Sequence, residues 1–194
     1  MSTVDANRLM LTGENPFIRF SDTDDGPLTT EASFWRIVLS PAGPGHVLYL
    51  KSELTADRWR IWADNEALAR WLQQTAQGNI NPASGDAAIP VTAARFIRSG
   101  DVQSGWTEQV TAEGEELALT WRNLGEPLLI HTVPHQEPGR PYGVCTVLIP
   151  AAEATLTLNG IAARGAPRPR DYEGRPFSTC ALAFSESWTE PRQP

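Results

Sequence analysis

Lysine is almost missing from this chain: Lys51 stands alone against fifteen arginines, an imbalance that reads as compositional bias rather than as a functional signal. Cysteine is scarce too. Cys145 and Cys180 have no CxxC pairing and no zinc-type spacing, which excludes a disulfide scaffold and the ordinary zinc modules. Both alternate with apolar neighbours such as Val147 and Leu182, the pattern of small buried hydrophobes rather than nucleophiles. No stretch approaches the roughly 18 apolar residues of a membrane-crossing helix. The opening MSTVDANRLMLTGENPF lacks a basic segment followed by an apolar one, so no secretory signal is expected. Reduced thiols without a signal point to the cytoplasm.

Other absences narrow the function. There is no GxSxG, so no hydrolase elbow, and neither GxGxxG nor GxxxxGK[ST] to cradle a phosphate. No cofactor is expected on these grounds. A net charge of −7 opposes nucleic acid or an anionic membrane as partner.

What the chain does contain is period-two alternation. In SFWRIVLS, Trp35, Ile37 and Leu39 share a face; in HVLYLKS, His46, Leu48 and Leu50 do. RWRIWAD sets Trp59, Ile61 and Ala63 against Arg58, Arg60 and Trp62. Such alternation, rich in β-branched and aromatic residues, predicts strands with one buried face. It resumes at AARFIRSG and continues through GWTEQVTAEGEELALTWRNLGEPLLIHTV, with turns expected at 113–115 and 123–127. GVCTVLIP, ATLTLNGIAARG and PFSTCALAFSESW follow, and Asn159-Gly160 is the strongest short hairpin signal. One segment departs from this rhythm. DNEALARWLQQTAQG places Leu68, Trp71, Leu72 and Thr75 at helical spacing, with Asp64 or Asn65 as cap and Gly78 as stop.

The expected fold is mainly β: an antiparallel β-barrel or two-sheet β-sandwich of about nine to ten strands, with one α-helix (64–77) packed on it. A chain of 194 residues buries roughly 70% of its unfolded surface and needs no metal or disulfide for a core. Residues 1–194 read as a single domain, with loosely structured ends at 1–30 and 189–194. In strand pattern alone this resembles the calycin barrels, although the Gly-x-Trp signature of lipocalins is absent: in SGWTE the pair is adjacent.

Two of the three histidines, His131 and His135, lie four apart in LLIHTVPHQEPGRPYG. On a helix that spacing converges on a metal. Here Ile130, Thr132 and Val133 disfavour a helix and Pro134 breaks it. On a strand the two Cα atoms stand about 13 Å apart, so neither residue is expected to bind metal. His131 shares its face with Leu129 and Val133, and a histidine on an apolar face needs a hydrogen-bond partner, which a ligand can supply.

Seven tryptophans fill a core in the ordinary case; the alternative is a cavity lined by indoles. The loop RGAPRPRDYEGRP carries Arg164, Arg168, Arg170 and Arg175, an anion site unless Asp171 and Glu173 neutralise it, as expected here. The acidic run SDTDDG fails the calcium-loop pattern and reads as a solvated loop.

The leading expectation is binding of a small, largely apolar molecule in a calycin-like cavity, with Trp35, Trp121 and His131 in its wall and Tyr142 near its mouth. The alternatives are an isomerase, cyclase or lyase using His131 as general acid and base, or a β-sheet interaction module, including a homodimer.

Overall fold

Alternation becomes strand almost wherever it occurs. The computed structural model describes residues 9–136 and 141–190. Its strands run β1 Leu9–Glu14, β2 Phe17–Ser21, β3 Leu28–Leu39, β4 Gly45–Ser52, β5 Arg60–Ala63, β6 Val91–Ala93, β7 Arg95–Asp101 and β8 Gly105–Ala112. They continue as β9 Glu115–Leu124, β10 Leu128–Thr132, β11 Gly143–Leu158, β12 Ile161–Ala162, β13 Pro169–Tyr172, β14 Arg175–Ser178 and β15 Ala181–Thr189. The main sheet follows the order β6-β5-β4-β3-β1-β15-β11-β9-β8-β7, with β2, β10 and β12 attached beside that path; β13 and β14 form a separate hairpin. Its pairs are antiparallel except for the parallel β5–β6 pair. The fold is mainly β, as the periodicity requires.

The sheet folds over on itself because β11 is sixteen residues long and serves two layers. Its first half pairs with β15 and β10, its second half with β9. The two halves of the path then face each other, and Phe34 of β3 meets Phe96 of β7 edge-on at 5.7 Å. Between the layers lie Phe34, Leu48, Trp62, Leu119 and Trp121, none with exposed surface. A second apolar cluster sits on the opposite face of β3 to β5, where Trp35, Tyr49 and Ile61 meet Leu68, Leu72 and Ala76.

Those last three come from the helical segment, which is divided. Helix α1 spans Glu66–Gln74, capped by Asn65, whose side chain accepts from the Leu68 N–H at 3.1 Å. Thr75 breaks it, and the single turn α2, Ala76–Ile80, follows. Gly78 therefore lies within α2 rather than stopping α1; a Cβ there would stand 2.0 Å from the Gln73 carbonyl oxygen.

Two expectations need correction. Residues 9–30 are not loose: β1 is sandwiched between β3 and β15, and Leu11, Ile18 and Phe20 are buried. Their alternation is real but short, cut by the Gly13–Pro16 stretch, and becomes legible only once partner strands flank it. At the other end, β15 runs through Thr189; residues 1–8 and 191–194 lie outside the described residues. The reversal expected at 123–127 is also absent. β9 and β10 both pair with one edge of β11, Leu124 opposite Ala151 and Leu128 opposite Leu148. Residues 125–127 thus oppose only 149–150, a bulge in one long ladder rather than a hairpin turn.

Carboxylates are embedded in this fold. Glu108, fully buried, accepts from Arg36 at 2.9 Å, Arg98 at 2.7 Å and the Trp106 indole at 3.0 Å, and Arg98 also pairs with Glu14. Glu115 binds Arg60 in a bidentate fork and accepts from Trp62. These pairs join the two layers, since Arg36 and Arg60 come from one and Glu108 and Glu115 from the other. Glu186 has only neutral donors, the Trp188 indole at 2.7 Å and the Thr146 hydroxyl, and burial pushes its pKa up from 4.5 to about 7. An acid with a raised folded pKa stabilises fully below its unfolded value and loses that contribution as pH climbs through about 7. Glu186→Gln should therefore gain stability over the parent at about pH 8.5, by on the order of 3 kcal/mol relative to its difference at about pH 4. Denaturant melts at the two pH values measure this, and a pH-independent difference would refute it.

Candidate functional site

The bulge at 125–127 arises from residues that cannot continue a ladder. Pro127 on one side of it and Pro150 on the other have no N–H donors, and the one bond that spans it runs from the Gly125 N–H to the Pro150 carbonyl at 2.8 Å. The strand pair bends there. Against the bend stands the β13–β14 hairpin, and between them opens a cleft of about 770 Å³. Its walls are Leu128, Pro150 and Ala152 on the sheet side and Pro169, Pro176 and Phe177 on the hairpin side. Leu128 is only 4% exposed, so it forms a floor rather than a rim. Polar groups are few: Asn123, Glu126, Arg168, Arg175 and Ser178. Volume and chemistry both match ordinary small-molecule sites, which run to roughly 300–1,000 Å³ with mainly apolar walls.

The hairpin is held in place by arginines and by the acidic run near the N-terminus. Arg168 donates from Nε and Nη2 to the Ser21 carbonyl, at 3.1 and 2.8 Å, and reaches Asp24 at 3.5 Å. Arg164 forks onto Asp22, and Arg170 donates to the Asp24 carbonyl at 2.8 Å. SDTDDG is therefore a docking strip for the arginine loop rather than a free solvated loop. Neutralisation by Asp171 and Glu173 is not what occurs: Asp171 instead accepts from the Gly174 N–H at 2.8 Å, closing the hairpin turn.

The residues expected to line a site do not come together. Trp35 is buried under α2, its indole donating to Gln77 at 2.8 Å, and its ring meets Trp188 at 6.1 Å. Tyr142 packs on the other side of Trp188 at 5.8 Å, so Trp35 and Tyr142 share one cluster. Trp121 lies in the other cluster, between the layers, donating to the Phe17 carbonyl at 3.0 Å. His131 is exposed on β10, beside Leu129 at 70% exposure. The face of Leu129, His131 and Val133, read from sequence as apolar and buried, points to solvent, because β10 buries the opposite parity through Leu128. Residues 128–132 do run extended, with His131 opposite Cys145, and His135 sits in the turn beyond.

The third histidine is the one that gains a carboxylate. His46 Nδ1 lies 2.6 Å from Asp64 Oδ2, while Asp64 Oδ1 accepts from the His46 N–H at 2.6 Å. A histidine–carboxylate pair is a common general-base arrangement. Here the ring stacks on Phe96 at 5.2 Å and Nε2 is buried with no hydrogen-bond partner, so no reacting group reaches it. The pair clamps β4 to the end of β5. Cys180, whose pKa burial pushes up to about 11, remains a thiol at neutral pH.

Sequence reasoning missed the cleft because no single segment carries it. Its prolines come from the β9–β10 junction, from β11 and from the hairpin, each an unremarkable punctuation mark in its own neighbourhood. The signal that was available is the abundance of proline, 16 residues, with Pro127 and Pro150 inside otherwise strand-like runs.

Comparison with models of known families, with curated proteins and with solved structures finds no match. Function is argued from the cleft itself.

The cleft depends on the hairpin staying docked. Arg168→Ala should speed amide exchange across 169–178 by about ten-fold or more while changing global stability by under about 1 kcal/mol. Exchange unchanged in that segment would show that Arg168 is not its anchor.

Proposed function

We propose that this protein binds a small, largely apolar molecule, and that the binding site is the proline-lined cleft between the β9–β10 bulge and the β13–β14 hairpin. The observation that carries this reading is a cleft of about 770 Å³ whose walls are mostly apolar and whose floor is the buried Leu128. Desolvating an apolar ligand against such walls yields roughly 25 cal/mol per Å² buried. Proline contributes in a particular way: its ring has no rotamers to lose, so a proline wall is already ordered before the ligand arrives.

The ligand's place differs from that of a calycin, whose cavity lies inside the barrel. The space between the layers here holds Phe34, Trp62 and Trp121. A cytoplasmic location is part of the same proposal; Cys145 and Cys180 are both free, which suits a reducing compartment. No helix among the described residues is long and apolar enough to cross a membrane.

N-phenyl-1-naphthylamine, a neutral apolar fluorophore, should brighten saturably with the parent protein and lose most of that response with Ala152→Trp, which fills the cleft from its exposed wall. Excitation beyond the tryptophan band keeps the new indole silent. Equal saturable binding by both proteins would place the site elsewhere.

A second reading has its own observation. Among the described residues β10 pairs only with β11; it presents Leu129 at 70% exposure, with Val133 just beyond it at 38%, and no lysine or proline lies within the strand itself to guard the open edge. This favours self-association of the chain through β10. Sedimentation velocity should then show a dimer that Leu129→Asp dissociates; a monomer at every concentration would dispose of this reading.

A further inference from the structure

The cleft carries a charge that nothing in the protein answers. Four arginines occupy the loop and hairpin from 164 to 175, and three are committed. Arg164 is held by Asp22, Arg168 by the Ser21 carbonyl with Asp24, and Arg170 by the carbonyls of Pro169 and Asp24. Arg175 is the fourth. Its backbone pairs with Tyr172 across the hairpin, but its guanidinium has no hydrogen-bond or ion-pair partner among the described residues. A guanidinium presents up to five N–H donors in a planar fork, the shape that grips a carboxylate. It lines the cleft beside Pro176 and Phe177.

The acids near it in sequence do not pair with it. The acids nearest in sequence are already used or displaced: Asp171 caps the turn, and Glu173 lies within the turn in a left-handed conformation. Arg175 is thus a free cation at the edge of an apolar trough, the arrangement an amphiphilic anion complements. The cleft also contains one carboxylate, Glu126, on the opposite wall, with no ion-pair partner among the described residues. A second negative charge on a ligand would meet Glu126 as well as the protein's net charge of −7. The permitted charge is therefore one.

We infer that the natural ligand is an apolar monocarboxylate, its aromatic or branched body lying between Leu128 and the proline walls and its carboxylate on the Arg175 fork. This rests on the cleft being the binding site and specifies its ligand class. Recognition is by ion pair and hydrogen bonds; no bond is made or broken.

The test uses a matched pair that differs only in charge, 1-naphthylacetic acid and 1-naphthylacetamide, titrated calorimetrically into the parent protein, Arg175→Gln and Glu126→Gln at neutral pH. The acid should bind the parent at least about five-fold tighter than the amide, a margin that added salt reduces. Arg175→Gln should abolish that margin while leaving the amide unchanged, and Glu126→Gln should widen it. Both positions are exposed, and superimposable thermal melts verify that each variant folds. Equal affinities for acid and amide in the parent, or a margin that survives in Arg175→Gln, would overturn the inference while leaving the cleft as an apolar site. A margin narrowed by Glu126→Gln would overturn the single-charge limit. Failure of both compounds to bind would overturn the cleft as a binding site, and this inference with it.

Discussion

The constraint on which this structure turns is a ladder that cannot be continuous. β11 pairs over its whole length with β9 and β10, yet the paired segment meets Pro127 on one strand and Pro150 on the other, two residues with no N–H to offer. Three residues then oppose two, one Gly125–Pro150 hydrogen bond spans the gap, and the strands bend. From that bend follow the transfer of β11 from one layer to the next, the facing of the sheet's two halves, and the hollow flanking the bulge. A regular ladder through 124–128 would leave β11 straighter and the hollow shallower.

Polar interactions in this protein serve architecture first. Glu108 and Glu115 accept arginines from the opposite layer, and Asp64 fixes His46 to the sheet. Breaking a buried pair from one side costs about 3–5 kcal/mol, because it strands the partner's charge. The acidic run at 21–26 and the arginine-rich loop, joined by contacts 142 and 146 residues apart in sequence, are two halves of one fastening. Arg175, whose guanidinium has no partner among the described residues, lies at the cleft.

Much of the secondary structure was legible. Trp35 and Ile37 share a buried face as their alternation indicates, whereas β4 buries Val47, Leu48, Tyr49 and Leu50 on both of its faces; of the two expected caps it is Asn65 that caps α1, and Asn159-Gly160 marks its hairpin, where both residues take positive φ. The faces themselves were less legible. His131 was assigned to a buried face because Leu129 and Val133 flank it, but Leu128 and Ile130 are equally apolar, and a run apolar on both parities does not say which side the core is on. The same ambiguity separated Trp35 from Trp121: both sit at buried positions, in clusters on opposite sides of the sheet.

Local chemistry by itself determined that this chain is built of strands with one helical interlude, since side-chain period, β-branching and turn residues act over a few positions. Which strands became neighbours, which faces went inward, and which of the loop's arginines was left without a counter-charge were decided only by the tertiary structure. Those outcomes depend on contacts between residues more than a hundred positions apart, such as Arg164 with Asp22, and such contacts leave no periodic trace along the chain.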